Sequence, residues 1–557
     1  KDLLISKAPV FDSRLATPGC FFLALKGEKA DGHEFAADAY RNGAMFSLTS
    51  QRIDGPCIVV KDVLEALSIL AAFVRKRLDK LVVIGITGSQ GKTSTKDLLT
   101  HMLGAVGPTV APAGSFNNDL GLPITLLQCD DRTRFCILEM GARHMGDIAR
   151  LCEIAKPNIG VVLTVGTAHI GEFGSREVIA QTKGELIASL DKDGIAILGT
   201  YDEFTPKMAS LHQGQVILFG EKADIQVRAA DVEMREGRPH FDLVTPSGRN
   251  FVSLQVIGEQ QIPNALAAAS AAFALNISNE KIATGLTLAK LDSRWRMQVE
   301  DLNGIQIIND YYNANPESMK AALKTLVLLS QESGGSSWAI LGKMHELGQI
   351  EQASHLEIVQ YCRDLSVDHL VSVGTDLYKG SSNEIKDGNL LLHHCKNTEA
   401  VLELVNNFSA GDVVLLKASR SEKFEDLVVR TVDDFTGEIK IRSPYYDLGT
   451  FYKFIKNGKV SYYFSTSIES DDIYHGRGVR VLFTDGSQWV RLNEMIDIDY
   501  DEGFNNNVFL KLNQSDIEIF KKKVIKKIRL YIHDKAVDQS LAEEFRTVVN
   551  IILAKKR

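Results

Sequence analysis

The sequence has no Cys-x-x-Cys pair; its seven cysteines (Cys20, Cys57, Cys129, Cys136, Cys152, Cys362 and Cys395) are scattered, most of them in apolar runs. That spacing excludes a zinc ribbon or a dithiol redox motif and predicts buried, reduced thiols in a cytosolic protein. No apolar run is long enough to span a bilayer and no signal-type segment opens the chain, so a cytoplasmic protein without membrane insertion is expected. Positive charge is not in excess either. Lys and Arg number 63 against 71 Asp and Glu, a net charge of −8, which leaves the chain as a whole no electrostatic reason to bind nucleic acid. What is present is apolar content for packed cores: 45% hydrophobic residues over 557 positions, with mean hydropathy −0.05. Single cores rarely grow past about 250–300 residues, so several domains are expected.

The stretch that organises the chain is Gly85-Ile86-Thr87-Gly88-Ser89-Gln90-Gly91-Lys92-Thr93-Ser94. An apolar run, Leu81–Ile84, precedes it and reads as a buried parallel strand. Leu98, Leu99, Met102 and Leu103 follow at helical spacing. Strand, glycine-rich turn and helix start are the context of a phosphate-binding loop. Gly88 and Gly91 let backbone N–H groups converge on a polyphosphate, the helix N-terminus adds a positive dipole end, Lys92 reaches the terminal phosphates, and the Thr93 hydroxyl suits Mg²⁺. Ile86 stands where the usual longer motif has a glycine, so this is a shorter variant, Thr-Gly-x-x-Gly-Lys-Thr.

Around this loop the chain divides by pattern. Residues 1 to about 80 read as a small α/β domain with two polar clusters, Asp12-Ser13-Arg14 and Lys26-Gly27 with Asp31-Gly32-His33, which turn chemistry alone would also explain. From 81 to about 298, strands and helices alternate as in a parallel sheet covered on both faces. Ligands gather beyond the carboxyl ends of such strands, where Glu139 and His169 fall. A carboxylate and an imidazole there suit Mg²⁺ and its phosphates, although singly each also fits a helix cap or a satisfied core histidine. Asn117 lies in a polar loop before Gly121-Leu122-Pro123. Lys183-Gly184-Glu185 lies on a helix and reads equally as a solvated charge pair. From 299 to 434 the alternation repeats, with Asp310-Tyr311-Tyr312-Asn313-Ala314-Asn315-Pro316 after one strand and Lys417-Ala418-Ser419-Arg420 after another. From 435 onward, aromatic and β-branched residues alternate around Asn457-Gly458 and Asp485-Gly486, which predicts a small antiparallel sheet with one or two helices. The basic run Lys521–Lys527 reads as a solvated face, since no stacking aromatics are interleaved with it, or as a patch for nucleic acid or an acidic partner.

In their order along the chain these motifs resemble the Mur ligases, ATP-dependent amide-forming enzymes of peptidoglycan precursor synthesis. The resemblance covers about 430 residues. It is carried by Asp12-Ser13-Arg14, Asp31-Gly32-His33, Thr87–Thr93, Asn117-Asn118, Glu139-Met140-Gly141-Ala142, Ala168-His169, Lys183-Gly184-Glu185 and Asn264-Ala265-Leu266-Ala267-Ala268. Arg296, Asp310, Tyr312–Pro316, Leu341-Gly342 with Glu346-Leu347-Gly348, and Lys417 with Ser419-Arg420 complete it. The Tyr-Asn-Ala-Asn-Pro segment points to the dipeptide-adding member. Gln260, Lys343, Ala418 and Gly199-Thr200-Tyr201 depart from the family pattern and bear on fine nucleotide contacts. Residues 435–557 have no counterpart in the resemblance.

The resemblance implies an α/β fold of three domains: a UDP-substrate domain (1–80), an ATP-binding P-loop domain (81–298) and a Rossmann-like domain for the incoming dipeptide (299–434), followed by an appended α+β domain (435–557). It implies joining of D-alanyl-D-alanine to UDP-N-acetylmuramoyl-tripeptide through an acyl phosphate, with ATP and two Mg²⁺ ions, by a monomer whose partners are small molecules. Lys92, His169 and Lys183 would be catalytic, with Lys183 carbamylated. Thr93, Glu139 and His169 would hold metal. Gly88 to Ser94, Asn264, Arg296 and Asp310 would bind nucleotide, and Ser13, Arg14, Lys26, His33, Asn117, Asn315 and Ser419 would bind substrate. The rival expectations are another Mur-type or folylpolyglutamate-type ligase, or a nucleotide-binding scaffold without catalysis.

Overall fold

The structure, a computed structural model, describes residues 5–424 apart from 28–29, 113, 292, 303, 380–389, 402 and 405–406, and beyond them the strands between Val429 and Ala536. The first unit is a three-stranded parallel sheet of Phe22–Leu23 (β1), Ser47–Thr49 (β2) and Cys57–Val59 (β3), with the helices Ala36–Arg41 (α1) and Val63–Arg77 (α2). Helix α2 is started by Asp62, whose carboxylate accepts the Glu65 N–H at 2.8 Å, an ordinary N-cap. Its last turn docks onto the next unit. Arg75 donates to the Ala155 and Lys156 carbonyls and to Asn158 Oδ1, which also accepts the Val83 N–H.

Val83 belongs to Val82–Thr87 (β4), an interior strand of the second unit. The helix Lys92–Gly104 (α3) follows it. Then come Thr109–Val110 (β5), Gly121–Leu126 (α4), Phe135–Glu139 (β6), Asp147–Ala155 (α5), Ile159–Val162 (β7), Ile170–Phe173 (α6), Arg176–Ala188 (α7), Ile195–Gly199 (β8) and Gln215–Gly220 (β9). Val227–Arg235 (β10), Arg238–Thr245 (β11), Gly248–Ser253 (β12) and the helices Gln261–Ala274 (α8) and Asn279–Leu288 (α9) close the unit. The sheet order is β12-β11-β10-β9-β8-β7-β4-β6-β5, parallel except at β11 and β12. Side chains alternate across each strand, so Ile84 and Ile86 pack into the layer under α3, α8 and α9, while Val83 packs into the layer with α4, α5 and α7. The alternating pattern of the sequence did not reveal the β10–β12 meander. Its strands carry charge on the solvent side, and the β10–β11 turn rests on Glu236 and Gly237, both at positive φ (50° and 68°), the two-residue geometry that suits a twisted hairpin.

The third unit repeats the layering with Gln298–Leu302 (β13), Ile305–Asn309 (β14), Pro316–Ser333 (α10), Ser337–Leu341 (β15), Glu351–Asp364 (α11), His369–Val373 (β16), Leu391–Cys395 (β17), Thr398–Val401 (α12) and Val413–Lys417 (β18). Its order is β13-β14-β18-β15-β16-β17, with only β13 antiparallel. From Val429 to Ala536 a further sheet of nine strands is antiparallel throughout. Thr450–Lys456 pairs with Lys459–Ser470, and Arg477–Phe483 with Gln488–Asp499, as the two turn signals predict. The turn residues, Lys521–Lys523 and the helix expected over Leu541–Ile552 lie outside the described residues. Among the described residues, no helix is long and apolar enough to cross a membrane.

The meander shares the main core through Phe241, which is fully buried. Phe241→Ala is expected to cost about 3–5 kcal/mol, measured as a lower urea midpoint of the main unfolding transition.

Candidate active site

Strand β4 has β7 on one side and β6 on the other, so successive crossovers leave it in opposite directions and open a crevice at its carboxyl end. The phosphate loop occupies that crevice. Gly91 caps α3 at φ 82°. A Cβ there would lie 2.2 Å from Asn264 Oδ1, so glycine is required both by the backbone and by the neighbour. Lys92 curls back and donates to the Gly88 carbonyl at 2.6 Å. Ser89 fastens the loop to the segment after β7: its N–H meets the Thr164 carbonyl at 2.9 Å, and its Oγ accepts the Gly166 N–H at 2.8 Å.

Glu139 ends β6, fully buried. Its Oε2 accepts from Thr93 Oγ1 at 3.2 Å, whereas Oε1 has no hydrogen-bond partner among the described residues. Burial raises the Glu139 pKa, opposed by the charges of Arg296, Lys96 and Lys92. Burial lowers the Lys92 pKa. Lys183, on α7, is 6% exposed. Burial, with a further push from Lys92, brings it down to about 7, so its amine is substantially neutral near neutral pH. The solvated Lys183–Glu185 reading therefore fails, because Glu185 instead accepts the Gly146 and Ala149 N–H groups at the start of α5. His169 sits in left-handed backbone (φ 61°) with Nδ1 against the Glu346 carboxylate. Burial lowers its pKa, and Glu346 opposes that shift.

The third unit supplies the opposite wall of a cleft of about 1200 Å³. Arg296 lies in the linker between the units. Its Nη2 donates to Ser115 Oγ at 2.8 Å, its guanidinium lies 4.3 Å from the Tyr312 ring centroid, and its Nε is buried without a hydrogen-bond partner among the described residues. Asp310 accepts from Lys417 Nζ at 2.6 Å and from the Met297 N–H at 3.2 Å. Burial raises its pKa against the pull of Lys417. Asn315 caps α10, its Oδ1 accepting the Ser318 N–H at 2.8 Å. Glu317, on the first turn of α10, crosses the cleft to the Thr167 N–H at 2.8 Å and to its hydroxyl at 2.9 Å.

Of the residues singled out from the sequence, Ser89 to Ser94, Asn117, Glu139, His169, Lys183, Asn264, Arg296, Asp310 and Asn315 line this one cleft. Gly88 holds Lys92 just behind it. Asn264 packs against Gly91, with its amide N–H on Gln261 Oε1 at 2.9 Å. The N-terminal candidates stand apart from these walls. Arg14 is paired with Asp12 at 2.7 Å. His33 has Nδ1 2.5 Å from Asp31 and Nε2 3.1 Å from the Ser50 N–H. Ser13 accepts the Asn42 side chain on its carbonyl, and the Lys26 backbone forms an isolated antiparallel β-bridge with that of Asp31. Ser419 is also outside the cleft, its Oγ accepting the His345 N–H at 3.1 Å. Residues without an assigned role in the sequence reading are Ser115, Glu317, Glu346 and Lys417. For Lys417 a signal existed, a lysine closing the apolar strand Val413–Leu416; nothing local marks Ser115.

The donors fit a magnesium ion at Thr93 and Glu139, since a hard cation would satisfy the unpartnered Oε1. Among the described residues no three His, Cys, Asp or Glu side chains form a metal cage. Mg²⁺ is usually held by one or two carboxylates plus phosphate and water, so this is the donor set it takes.

A nucleotide-cradling loop, a buried carboxylate and a second sheet facing them define an ATP-dependent ligase of the Mur type, and the comparisons agree. The Mur ligase middle domain matches residues 86–272, and the Mur ligase, glutamate ligase domain matches residues 295–420. The chain belongs to the Mur ligase family. The UDP-N-acetylmuramoyl-tripeptide–D-alanyl-D-alanine ligase of Mycobacterium tuberculosis is 41% identical to it over 474 residues, covering 77% of this chain and 93% of that one. The Escherichia coli enzyme of the same name is 32% identical over 426 residues, covering 75% and 92%. Among solved structures, MurF from Acinetobacter baumannii superposes with TM-score 0.67 at 34% identity, covering 75% of this chain and 92% of that one. MurF from Thermotoga maritima in complex with ADP gives 0.65 at 29%, covering 76% and 96%.

Gly91→Ala combines disfavoured backbone with a clash against Asn264. It is expected to weaken ADP binding by about tenfold or more, measured by titration calorimetry.

Proposed function

We propose that this chain joins D-alanyl-D-alanine to UDP-N-acetylmuramoyl-tripeptide at the expense of ATP, in peptidoglycan precursor synthesis. The observation that carries the reading is the single cleft in which the phosphate loop and buried Glu139 of one sheet face the Asn313–Asn315 turn of the other. The named relatives support it.

A carboxylate is an inert acyl donor, because its oxide does not leave. Transfer of the γ-phosphoryl group from ATP to the substrate carboxylate forms an acyl phosphate and ADP. The dipeptide amine then attacks the acyl carbon, phosphate departs, and the amine proton is lost. The protein's part is to position both ends in line and to neutralise charge on the phosphoryl oxygens. Lys92, the loop N–H groups and Arg296 serve the phosphates, with Asp310 and Lys417 fixing the facing wall beside Arg296. Thr93, Glu139 and His169 would hold Mg²⁺, two ions in all, which supply charge neutralisation at the phosphates when bound. A neutral Lys183 amine is the form that adds CO₂, losing a proton to give a carbamate, an anionic ligand from a cationic side chain. The three sheet units act as domains divided near residues 80 and 298, the first holding the uridine end through Ser13, Arg14, Lys26 and His33 and the third holding the dipeptide. Closure around the reactants excludes water that would hydrolyse the acyl phosphate. The protein works as a monomer in the cytoplasm.

Phosphate release with D-alanyl-D-alanine set against single amino acids tests the reading. Turnover only with the dipeptide is expected, and turnover only with a free amino acid would replace it by another ligase of the family. Lys92→Ala should leave the fold intact and lower kcat by more than about a thousandfold, as the loss of a principal phosphate charge implies. For Lys183, ¹³C-bicarbonate should give a carbamate resonance in the wild type that is missing in Lys183→Met.

A further inference from the structure

Just past the phosphate loop, α3 carries a buried ion pair whose cation helps offset the burial of Glu139 and whose other contacts the chemistry above leaves unused. Lys96 and Asp97 are 4% and 3% exposed and meet at 2.6 Å. Burying such a pair is unfavourable unless the remaining donors and acceptors find partners. The partners come from two loops that are distant in sequence. Lys96 Nζ donates to the Pro112 carbonyl at 3.2 Å, the Gly114 carbonyl at 3.4 Å and Ser293 Oγ at 3.3 Å. Asp97 Oδ2 accepts the Ser293 N–H at 3.1 Å. The same two loops touch again over the active site, where Arg296 donates to Ser115, and Ser115 Oγ lies 3.0 Å from Thr93 Oγ1.

The linker that carries Arg296 is also held in an unusual backbone. Trp295 and Met297, on either side of it, lie at φ 60° and 52°, a region that residues with side chains avoid unless their surroundings over-determine it. The Trp295 N–H meets Gln298 Oε1 at 2.8 Å, the Met297 N–H meets Asp310, and Arg420 lies 4.4 Å from the Trp295 ring centroid. These contacts fix the far side of the linker. Lys96 and Asp97 fix the near side.

We propose that the Lys96–Asp97 pair is a latch that positions Arg296, clamping the 293–297 linker and the 112–115 loop to the helix that carries the phosphate loop. The inference rests on the ligase reading. An arginine already held in place meets the charge that develops on the transferring phosphoryl group without first having to be ordered. The latch also couples the placement of the third unit to the phosphate site, because the linker joins them. Lys96 and Asp97 are positioning residues in this scheme, and neither touches a reactant.

The test is a double-mutant cycle. Asp97→Asn retains the size of the side chain, Lys96→Met retains the stem, and Lys96→Arg retains the charge. Each is made in the wild type and in Arg296→Ala. The readouts are kcat, KM for ATP, and affinity for ADP and for a non-hydrolysable ATP analogue. Asp97→Asn and Lys96→Met are expected to lower kcat and analogue affinity by about tenfold or more while ADP affinity changes by less than about threefold, with partial recovery in Lys96→Arg. In Arg296→Ala the same substitutions should cost less than about threefold further. Losses that multiply in full in that background would overturn the latch, as would losses confined to ADP affinity and thermal stability. Should Lys96→Met fail to fold, Ser293→Ala removes one of its partners and goes through the same cycle. Absence of wild-type turnover would count against the ligase reading. The latch would still be judged by the difference between analogue and ADP affinity.

Discussion

The active site is built around charged groups that are buried beside the phosphate loop. Lys92, Lys183 and Arg296 all line the cleft that contains Glu139, and burial opposes the charged forms of Glu139, Lys92 and Lys183. Buried in a low-dielectric cleft, such groups keep their charge only where a partner of opposite sign or a set of hydrogen bonds meets them. A polyphosphate would bring anionic partners to Lys92 and Arg296, and a cation beside it would satisfy the unpartnered oxygen of Glu139. Burial also accounts for Lys183, whose pKa is depressed first by desolvation and then by the Lys92 charge.

The other requirement is that two parallel sheets present their carboxyl ends to one space. Their approach is fixed at backbone level. Gly348, at φ 58°, sits so close to Gly171 that a Cβ on it would lie 2.8 Å from the Gly171 Cα. The Gly171 N–H donates to the Glu346 carbonyl at 3.0 Å. That contact carries the Glu346 side chain to His169 and to Arg143, the latter at 3.3 Å. Glu317 makes a second bridge at Thr167. The linker with Trp295 and Met297 makes a third, and there, alone among the described residues, non-glycine backbone on both sides of a site residue is forced into the left-handed region. Together these contacts make the cleft a property of the pair of units and not of either one.

Much of this was legible from local pattern. The phosphate loop, the strands that end at Glu139 and near His169, and the repeated alternation of strand and helix all follow from short-range rules of burial and turn geometry. The family resemblance supplied the residues on the second wall. Three things were less readable. The β10–β12 meander has charged solvent-facing positions that dilute its alternation. Glu317 and Glu346 look like surface acids until the facing unit is placed against them. Lys96 and Asp97 look like an exposed helical pair, yet both are buried, because the 112–115 loop and the linker fold over them.

The sequence by itself determined which elements form and what chemistry their ends can carry, because hydrophobic periodicity, glycine freedom and helix caps act over a few residues. Only the tertiary structure decided which of those ends meet. Whether Lys183 is charged, whether Glu139 keeps an unpartnered oxygen and where Arg296 points depend on desolvation and on neighbours distant in the sequence. Those quantities exist only once the units have packed together.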